Sequence, residues 1–368
     1  MPATAAEALV VAAEFAFGGQ VTTVAPYGSG HINDTFLVTA TLPDGPRRFV
    51  LQRINHQVFR QPDLLMENVE RVCAHAQSKL RAAGTPDAHR RALRLIPTRA
   101  GKAWQVDPAG NRWRCYDFID RATGHDVVRT PAQAEAAAKA FGAFQALLAD
   151  LPGGRLHETI PDFHHTPSRF ARFQTALAKD SHGRAAAAGP EIAFALARAH
   201  EVGLVVDALR TGALPERVTH NDTKLNNVLL DDVTQEGVCV IDLDTVMPGS
   251  ALYDFGDLVR TSTSPAAEDE TDLSLVRMQL PMFEALVRGY LASARGFLTP
   301  REKELLPFAG KLITFEIGLR FLTDWLEGDT YFKVKRPGHN LDRCRTQFKL
   351  VESIEAQLPA MQALVARA

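Results

Sequence analysis

The chain has 368 residues, with 41 Lys and Arg against 43 Asp and Glu for a formal charge of −2. That near-neutral balance gives no electrostatic footing for nucleic acid or an anionic membrane at large. The length supports about two domains whose core needs neither disulfide nor metal.

In chain order, the N-terminal TAAEALVVAAEFAF carries Glu7 and Glu14 inside its apolar stretch, no preceding Lys or Arg, and no A-x-A pattern. It is expected to be an amphipathic helix, not a signal peptide. Strands are predicted over VTTVAPY (21–27), INDTFLVTA (32–40) and RRFVLQRI (47–54), rich in β-branched and aromatic residues, with Asp44-Gly45 turning the second into the third. A helix follows over about 64–83, with Leu65, Val69, Val72 and Cys73 at helical spacing. Then come LRLIPT and a hairpin-like pair, AWQVD and RWRCYDFI, around Pro108-Ala109-Gly110-Asn111. The order so far is β-β-β-α-β-β. Past a short connector the texture becomes helical. Thr130-Pro131 with Gln133, Thr166-Pro167, and Thr299-Pro300 with Glu302 each place a cap before a proline at the first helical position. The run Glu268-Asp269-Glu270 is read as first-turn carboxylates of a helix beginning near Pro265. One β-like island, VTHNDTKLNNVLLDD followed by EGVCVIDLDTV, interrupts the helices.

The expected architecture is α+β: a small antiparallel β-rich N-terminal lobe (1–116), a hinge (117–121) and a larger, mostly α C-terminal lobe (122–368). Cys73, Cys115, Cys239 and Cys344 lie far apart, without C-x-x-C pairing, which argues for reduced thiols and against a zinc site or disulfide framework. Eighteen uncharged apolar residues nowhere run together. A cytoplasmic protein without membrane or nucleic-acid partners, monomeric or weakly dimeric, is the expectation.

The island carries the chemistry. Asp222 is followed five residues later by Asn227 and fifteen further on by Asp242, at the end of an apolar stretch. This is phosphoryl-transfer spacing, in which one Asp accepts the proton of the substrate hydroxyl while an Asn and a second Asp hold magnesium. Each residue alone could be a capping Asp or turn Asn; the set is what points to catalysis. His220 is expected to pack its ring beneath the loop. Asp254-Phe255-Gly256 spells D-F-G, but it lies 27 residues after Asn227 and beyond the turn Met247-Pro248-Gly249-Ser250, so Asp254 is given a bracing role and Asp242 the metal. Between the first two strands, Tyr27-Gly28-Ser29-Gly30-His31 suits a phosphate-covering loop, with an ordinary hairpin turn as the plainer alternative.

The segments THNDTKLNNVLLD, VIDLDTVMPGSALYDFGDLVR, PYGSGHIN and FEIGLRFLTDWLEGDTYF resemble the aminoglycoside-phosphotransferase-like (choline kinase) superfamily and, within it, the bacterial N-acetylhexosamine 1-kinases. The first two carry the superfamily; the glycine loop ending in His31 and the segment from Phe315 to Phe332 carry the hexosamine kinases. The resemblance implies a two-lobed protein-kinase-like fold, ATP in the cleft with its phosphates under Gly28, Ser29 and Gly30, and adenine on the connector backbone near Asp117 and Ile119. It further implies Mg2+ and transfer of the γ-phosphoryl to the anomeric hydroxyl of N-acetylglucosamine or N-acetylgalactosamine. It maps the base to Asp222, the metal ligands to Asn227 and Asp242, and the sugar contacts to His31, Arg320 and Tyr331, with Asp222 on the reacting hydroxyl. From the residues alone, Arg320 either pairs internally or faces the cleft.

One departure from the wider kinase pattern matters: Phe49-Val50-Leu51-Gln52 puts Gln52 where the phosphate-binding lysine of V-A-I-K would stand. That leaves Glu67 and Glu70 without an obvious cationic partner, while Arg53 points to the opposite face of the strand. Rival readings are kinases of aminoglycosides, choline, homoserine or other sugars, and a nucleotide-binding scaffold without turnover. Lys333, Lys335 and Arg336 weigh against a polycationic acceptor.

Overall fold

The computed structural model describes residues 2–28 and 32–368. Thr4 opens helix α1 (Ala5–Ala12) through a reciprocal capping box with Glu7. Strands β1 (Gln20–Pro26), β2 (Asp34–Leu42) and β3 (Gly45–Arg53) form an antiparallel meander. Helix α2 (Pro62–Ala82) and the short α3 (Ala88–Arg91) lead to β4 (Gln105–Val106) and β5 (Arg112–Asp117), completing a sheet of order β1-β2-β3-β5-β4. LRLIPT contributes only two isolated bridges, Leu95 to Tyr116 and Thr98 to Phe15.

Beyond β6 (Ala122–Gly124) come α4 (Pro131–Leu148), α5 (Thr166–Lys179), α6 (Gly189–Ala197), α7 (Leu204–Arg210), β7 (Arg217–Thr219), β8 (Val228–Asp231), β9 (Gly237–Val240) and β10 (Met247–Gly249). The chain ends in α8 (Ala251–Ser262), α9 (Leu280–Ala294), α10 (Pro300–Leu326) and α11 (His339–Arg367). The short strands pair as β6-β8-β9 and β7-β10. The fold is α+β, with the helices concentrated after the main sheet.

Strand alternation divides that sheet into two faces. Phe36, Val38, Phe49, Leu51, Trp113 and Cys115 bury one face against α1 and Phe15. The intervening residues, among them Thr35, Gln52, Arg114 and Tyr116, fall on the other. Tyr116 and Ile119 join a second core with α2, α4, α8 and α9, and a third lies among α5, α10 and α11 around Phe173, Leu319 and Phe348. Gly256 belongs to this packing: a Cβ there would sit 2.5 Å from the Ala309 carbonyl of α10.

Two sequence expectations fail. No helix begins near Pro265; the segment is turns ending in a single 3-10 turn, Leu273–Leu275. Its carboxylates have basic partners instead of a helix dipole, Glu268 pairing with Arg260 at 3.2 Å and Asp269 with His339 at 2.9 Å. Thr166 is not a cap. His165 Nδ1 accepts the Ser168 N–H at 3.1 Å, because the Thr166 hydroxyl donates to Glu316 Oε2 at 2.6 Å. Thr130 and Thr299 do cap α4 and α10. All four cysteines are free and buried, and no helix among the described residues is long and apolar enough to cross a membrane.

Candidate active site

The loop from Thr219 to Asn227 lies between β7 and β8, and its shape is imposed from three directions. Asp254, buried in the first turn of α8, accepts the backbone N–H of His220 at 2.9 Å and of Asn221 at 2.6 Å, and Gln145 Nε2 at 2.5 Å. The His220 ring lies against Phe141 and Phe144 and meets the Ile241 carbonyl through Nε2 at 2.9 Å, while its Nδ1 accepts the Asp222 N–H at 3.3 Å. His164 donates from Nε2 to the Asn221 carbonyl at 3.0 Å and from Nδ1 to Glu316 Oε1 at 2.8 Å. Both ring nitrogens face acceptors, as a protonated imidazole requires. Burial opposes that charge, yet the Glu316 carboxylate outweighs it and holds His164 above its ordinary value. Asn221 adopts φ +66° and Asp242 φ +60°, left-handed conformations uncommon outside glycine and concentrated at functional sites.

Inside this frame Asp222 keeps 28 % of its side chain exposed and receives Lys224 Nζ at 3.0 Å and Asn227 Nδ2 at 3.0 Å, both on Oδ2. Burial pushes its carboxyl up, but Lys224, His220 and these hydrogen bonds together hold it below the usual carboxylate value. It is therefore ionised at neutral pH and able to accept a proton. Lys224 was missed in the sequence, although its place two residues after the Asp was the available signal.

Asp242 follows the end of β9, where burial first, then Asp244 and Asp222, push its carboxyl up to about 6. Arg114 and His220 oppose that rise without cancelling it, so a further cation would be favoured beside this carboxylate. Asn227 spends its amide N–H on Asp222, so Oδ1 is its end left for one. These hard oxygen donors suit magnesium, which binds through one or two carboxylates and completes its shell with phosphate oxygens and water.

Of the residues expected to meet nucleotide, Gly28 follows β1 by two residues with φ +79°, and Ser29, Gly30 and His31 lie outside the described residues. Gln52 donates from Nε2 to Thr35 Oγ1 at 3.1 Å and accepts Arg114 at Oε1. The Asp117 carboxylate is committed to Arg94 and Arg47, and its amide N–H to the Arg94 carbonyl at 3.0 Å. Ile119 is buried in the second core. Glu67 is not left unpaired as the sequence suggested: His157 meets it at 2.8 Å. Arg53, on the far face, pairs with Asp34.

Arg320 lies one turn beyond Glu316 on α10, its Nη2 3.4 Å from Tyr331 Oη and its guanidinium 5.5 Å from the Phe332 ring centroid. Asp324 fixes the turn that presents Tyr331 by accepting the N–H groups of Thr330, Tyr331 and Phe332 at 2.9, 2.8 and 3.0 Å. Arg320 thus has an internal partner in Tyr331 and also lines a small pocket between α5 and α10. Arg169 and Arg172 line the same pocket, and Arg169 Nε is buried without a hydrogen-bond partner. Among the described residues Arg172 pairs with Glu327, while neither Arg169 nor Arg320 has a carboxylate partner.

Fold and site together define a phosphotransferase. Residues 23–296 match the phosphotransferase enzyme family (APH), and the chain belongs to that family. Similar solved structures include a microcompartment-associated aminopropanol kinase, 16% identical over 98% of this chain and 99% of that one, with a TM-score of 0.56. An aminoglycoside phosphotransferase from Alicyclobacillus acidocaldarius is 13% identical over 98% of this chain and 96% of that one, with a TM-score of 0.57. Spectinomycin phosphotransferase, in complex with ADP and spectinomycin, is 12% identical over 98% and 100%, with a TM-score of 0.53.

Proposed function

We propose that this phosphotransferase is a small-molecule kinase that transfers the γ-phosphoryl of ATP to the anomeric hydroxyl of an N-acetylhexosamine. Asp222 receives the proton of that hydroxyl and aligns its oxygen; Lys224, 3.0 Å from Asp222, is near enough to meet the phosphoryl group in transit. Asn227 and Asp242 would hold magnesium, which supplies charge neutralisation between the β- and γ-phosphates when bound. Gly28 and Gln52 would line the phosphate side, and the backbone near Asp117 and Ile119 the adenine.

The observation that carries the choice of acceptor is the charge balance of the pocket formed with Tyr331 and Phe332: of its two carboxylates Glu327 is paired with Arg172 and Asp324 is spent on backbone N–H groups, which leaves the Arg169 and Arg320 guanidiniums uncompensated. An ammonium-bearing acceptor of the aminopropanol or aminoglycoside kind would meet repulsion there. A neutral sugar offers hydroxyls and an acetamido carbonyl, which suit planar guanidinium forks, a phenol and an aromatic face. The anomeric hydroxyl is the most acidic on the sugar, so one aligned carboxylate suffices as base.

The test is ADP release over a panel of N-acetylglucosamine, N-acetylgalactosamine, glucose, aminopropanol, choline and an aminoglycoside, with phosphorus NMR of the product. N-acetylhexosamines should lead the panel and give a glycosyl 1-phosphate. Turnover with an amino alcohol or aminoglycoside but no acetamido sugar, or phosphate on C6, would reject the substrate reading.

A further inference from the structure

We propose that Arg114 is the positioning cation of the phosphate site, reaching from β5 to act through Gln52 and Asp244 where the wider kinase fold uses a strand lysine. The proposal rests on the kinase reading above and requires nothing of the acceptor.

Register puts the two residues together: Gln52 and Arg114 are direct cross-strand partners, on the sheet face turned away from the α1 core. Arg114 is fully buried and its fork is divided between two neighbours. Nε and Nη2 donate to Gln52 Oε1 at 3.0 and 2.9 Å, and Nη1 donates to Asp244 Oδ1. The first contact fixes which way the Gln52 amide faces, because an oxygen that accepts two guanidinium N–H groups leaves the NH2 end forward. One N–H goes to Thr35 Oγ1; the other is available to a phosphate oxygen. Bonding to a cation in a low-dielectric site strengthens that donor, so a neutral glutamine inherits part of what a lysine would supply.

The second contact sets the metal-bearing turn. Asp244 stands two residues after Asp242, and its other oxygen, Oδ2, accepts Asn33 Nδ2 at 2.5 Å. Thr159 Oγ1 holds the Asp244 carbonyl at 2.7 Å. One guanidinium and one carboxylate thus join β3, β5, the segment that follows the glycine loop, and the turn that aims Asp242. An ammonium, a compact point charge without the planar fork, could not meet both neighbours in this geometry.

The experiment is calorimetric titration of MgATP, without acceptor, into wild type, Gln52→Met, Arg114→Gln and the double variant Gln52→Lys/Arg114→Gln, followed by KM for MgATP and for acceptor. Gln52→Met, which keeps the Arg114–Asp244 pair, and Arg114→Gln should each weaken MgATP by about 10- to 100-fold, as expected for hydrogen bonds to charged groups. The acceptor KM should move less than about twofold. The double variant returns the cation to β3 and should recover most of the loss. A folded Gln52→Met that binds MgATP like wild type, or a double variant no better than Arg114→Gln, overturns the proposal. Should Arg114→Gln not fold, Gln52→Met still decides. Wild-type protein that binds no MgATP would overturn the kinase reading and this proposal with it, whereas unchanged variants beside a binding wild type overturn this proposal alone.

Discussion

Asp222 and Asp254 are both carboxylates of the same small region, and their surroundings give them opposite work. Asp222 is partly exposed and held ionised by Lys224 and Asn227; Asp254 is fully buried and its oxygens are spent on the loop's own N–H groups. Replacing Asp222 by Asn keeps the shape and removes the base. Turnover should fall by about 10²- to 10⁴-fold with little change in melting temperature. A variant that kept more than about a third of wild-type turnover would sink the assignment. Asp254→Ala orphans the His220 and Asn221 amides, at roughly 1–3 kcal/mol for each unsatisfied group, so its first symptom should be a lower melting temperature in thermal denaturation. The spacing that set Asp254 apart from Asp242 as a bracing residue agrees with its bonds to the loop amides. It did not show that Gly256, the third letter of the same D-F-G, is a helix contact, since the Ala309 carbonyl that crowds it comes from a helix more than fifty residues away.

Helix α10 connects the loop to the proposed acceptor pocket: Glu316 holds His164, which holds Asn221, and Arg320 follows one turn later, about 6 Å along the axis. The tie is ionic, so its strength depends on pH. His164, raised above its ordinary 6.5, contributes stability that is complete below that value and is lost as pH rises through its folded value. Glu316, lowered from 4.5, contributes stability that is complete above that value and is lost as pH falls through its folded value. Asp257, Tyr253, Arg169 and Arg320 also act on the pair, and none replaces either partner. The melting-temperature difference between wild type and the neutral double variant His164→Gln/Glu316→Gln should therefore be greatest between pH 4.5 and 6.5 and shrink on both sides. A difference that stayed flat from pH 5 to about pH 10 would mean that the pair is not ionic. Helix starts were legible where a threonine has no competing partner, as at Thr130 and Thr299. They were misread at Thr166 because Glu316, 150 residues away, takes its hydroxyl.

At the scale of the whole molecule, the β-β-β-α-β-β order and the helical remainder were legible because strand alternation, turn residues and proline-preceded caps are local signals. What was not legible is contact between distant segments: Arg114 looked like one more strand residue until β3–β5 register set it beside Gln52, and the acidic run 268–270 looked like a helix start until Arg260 and His339 were found against it. The proposed nucleotide site would have the same long-range character, since Gln52 and Arg114 come from the sheet while Asn227 and Asp242 come from the island after the first helices. A ligand that engages both should stabilise the folded chain as a unit. At a hundredfold excess over its dissociation constant, MgATP is worth about 2.7 kcal/mol through binding to the native state alone. Thermal denaturation should therefore shift upward with MgATP in wild type and in Asp222→Asn, whose base is gone but whose metal ligands remain. Asp242→Ala should lose most of the magnesium-dependent part of the shift and should have no measurable turnover. A full magnesium-dependent shift in Asp242→Ala, together with its loss in Asp254→Ala protein that is still folded, would mean that the metal belongs to the D-F-G aspartate and not to Asp242.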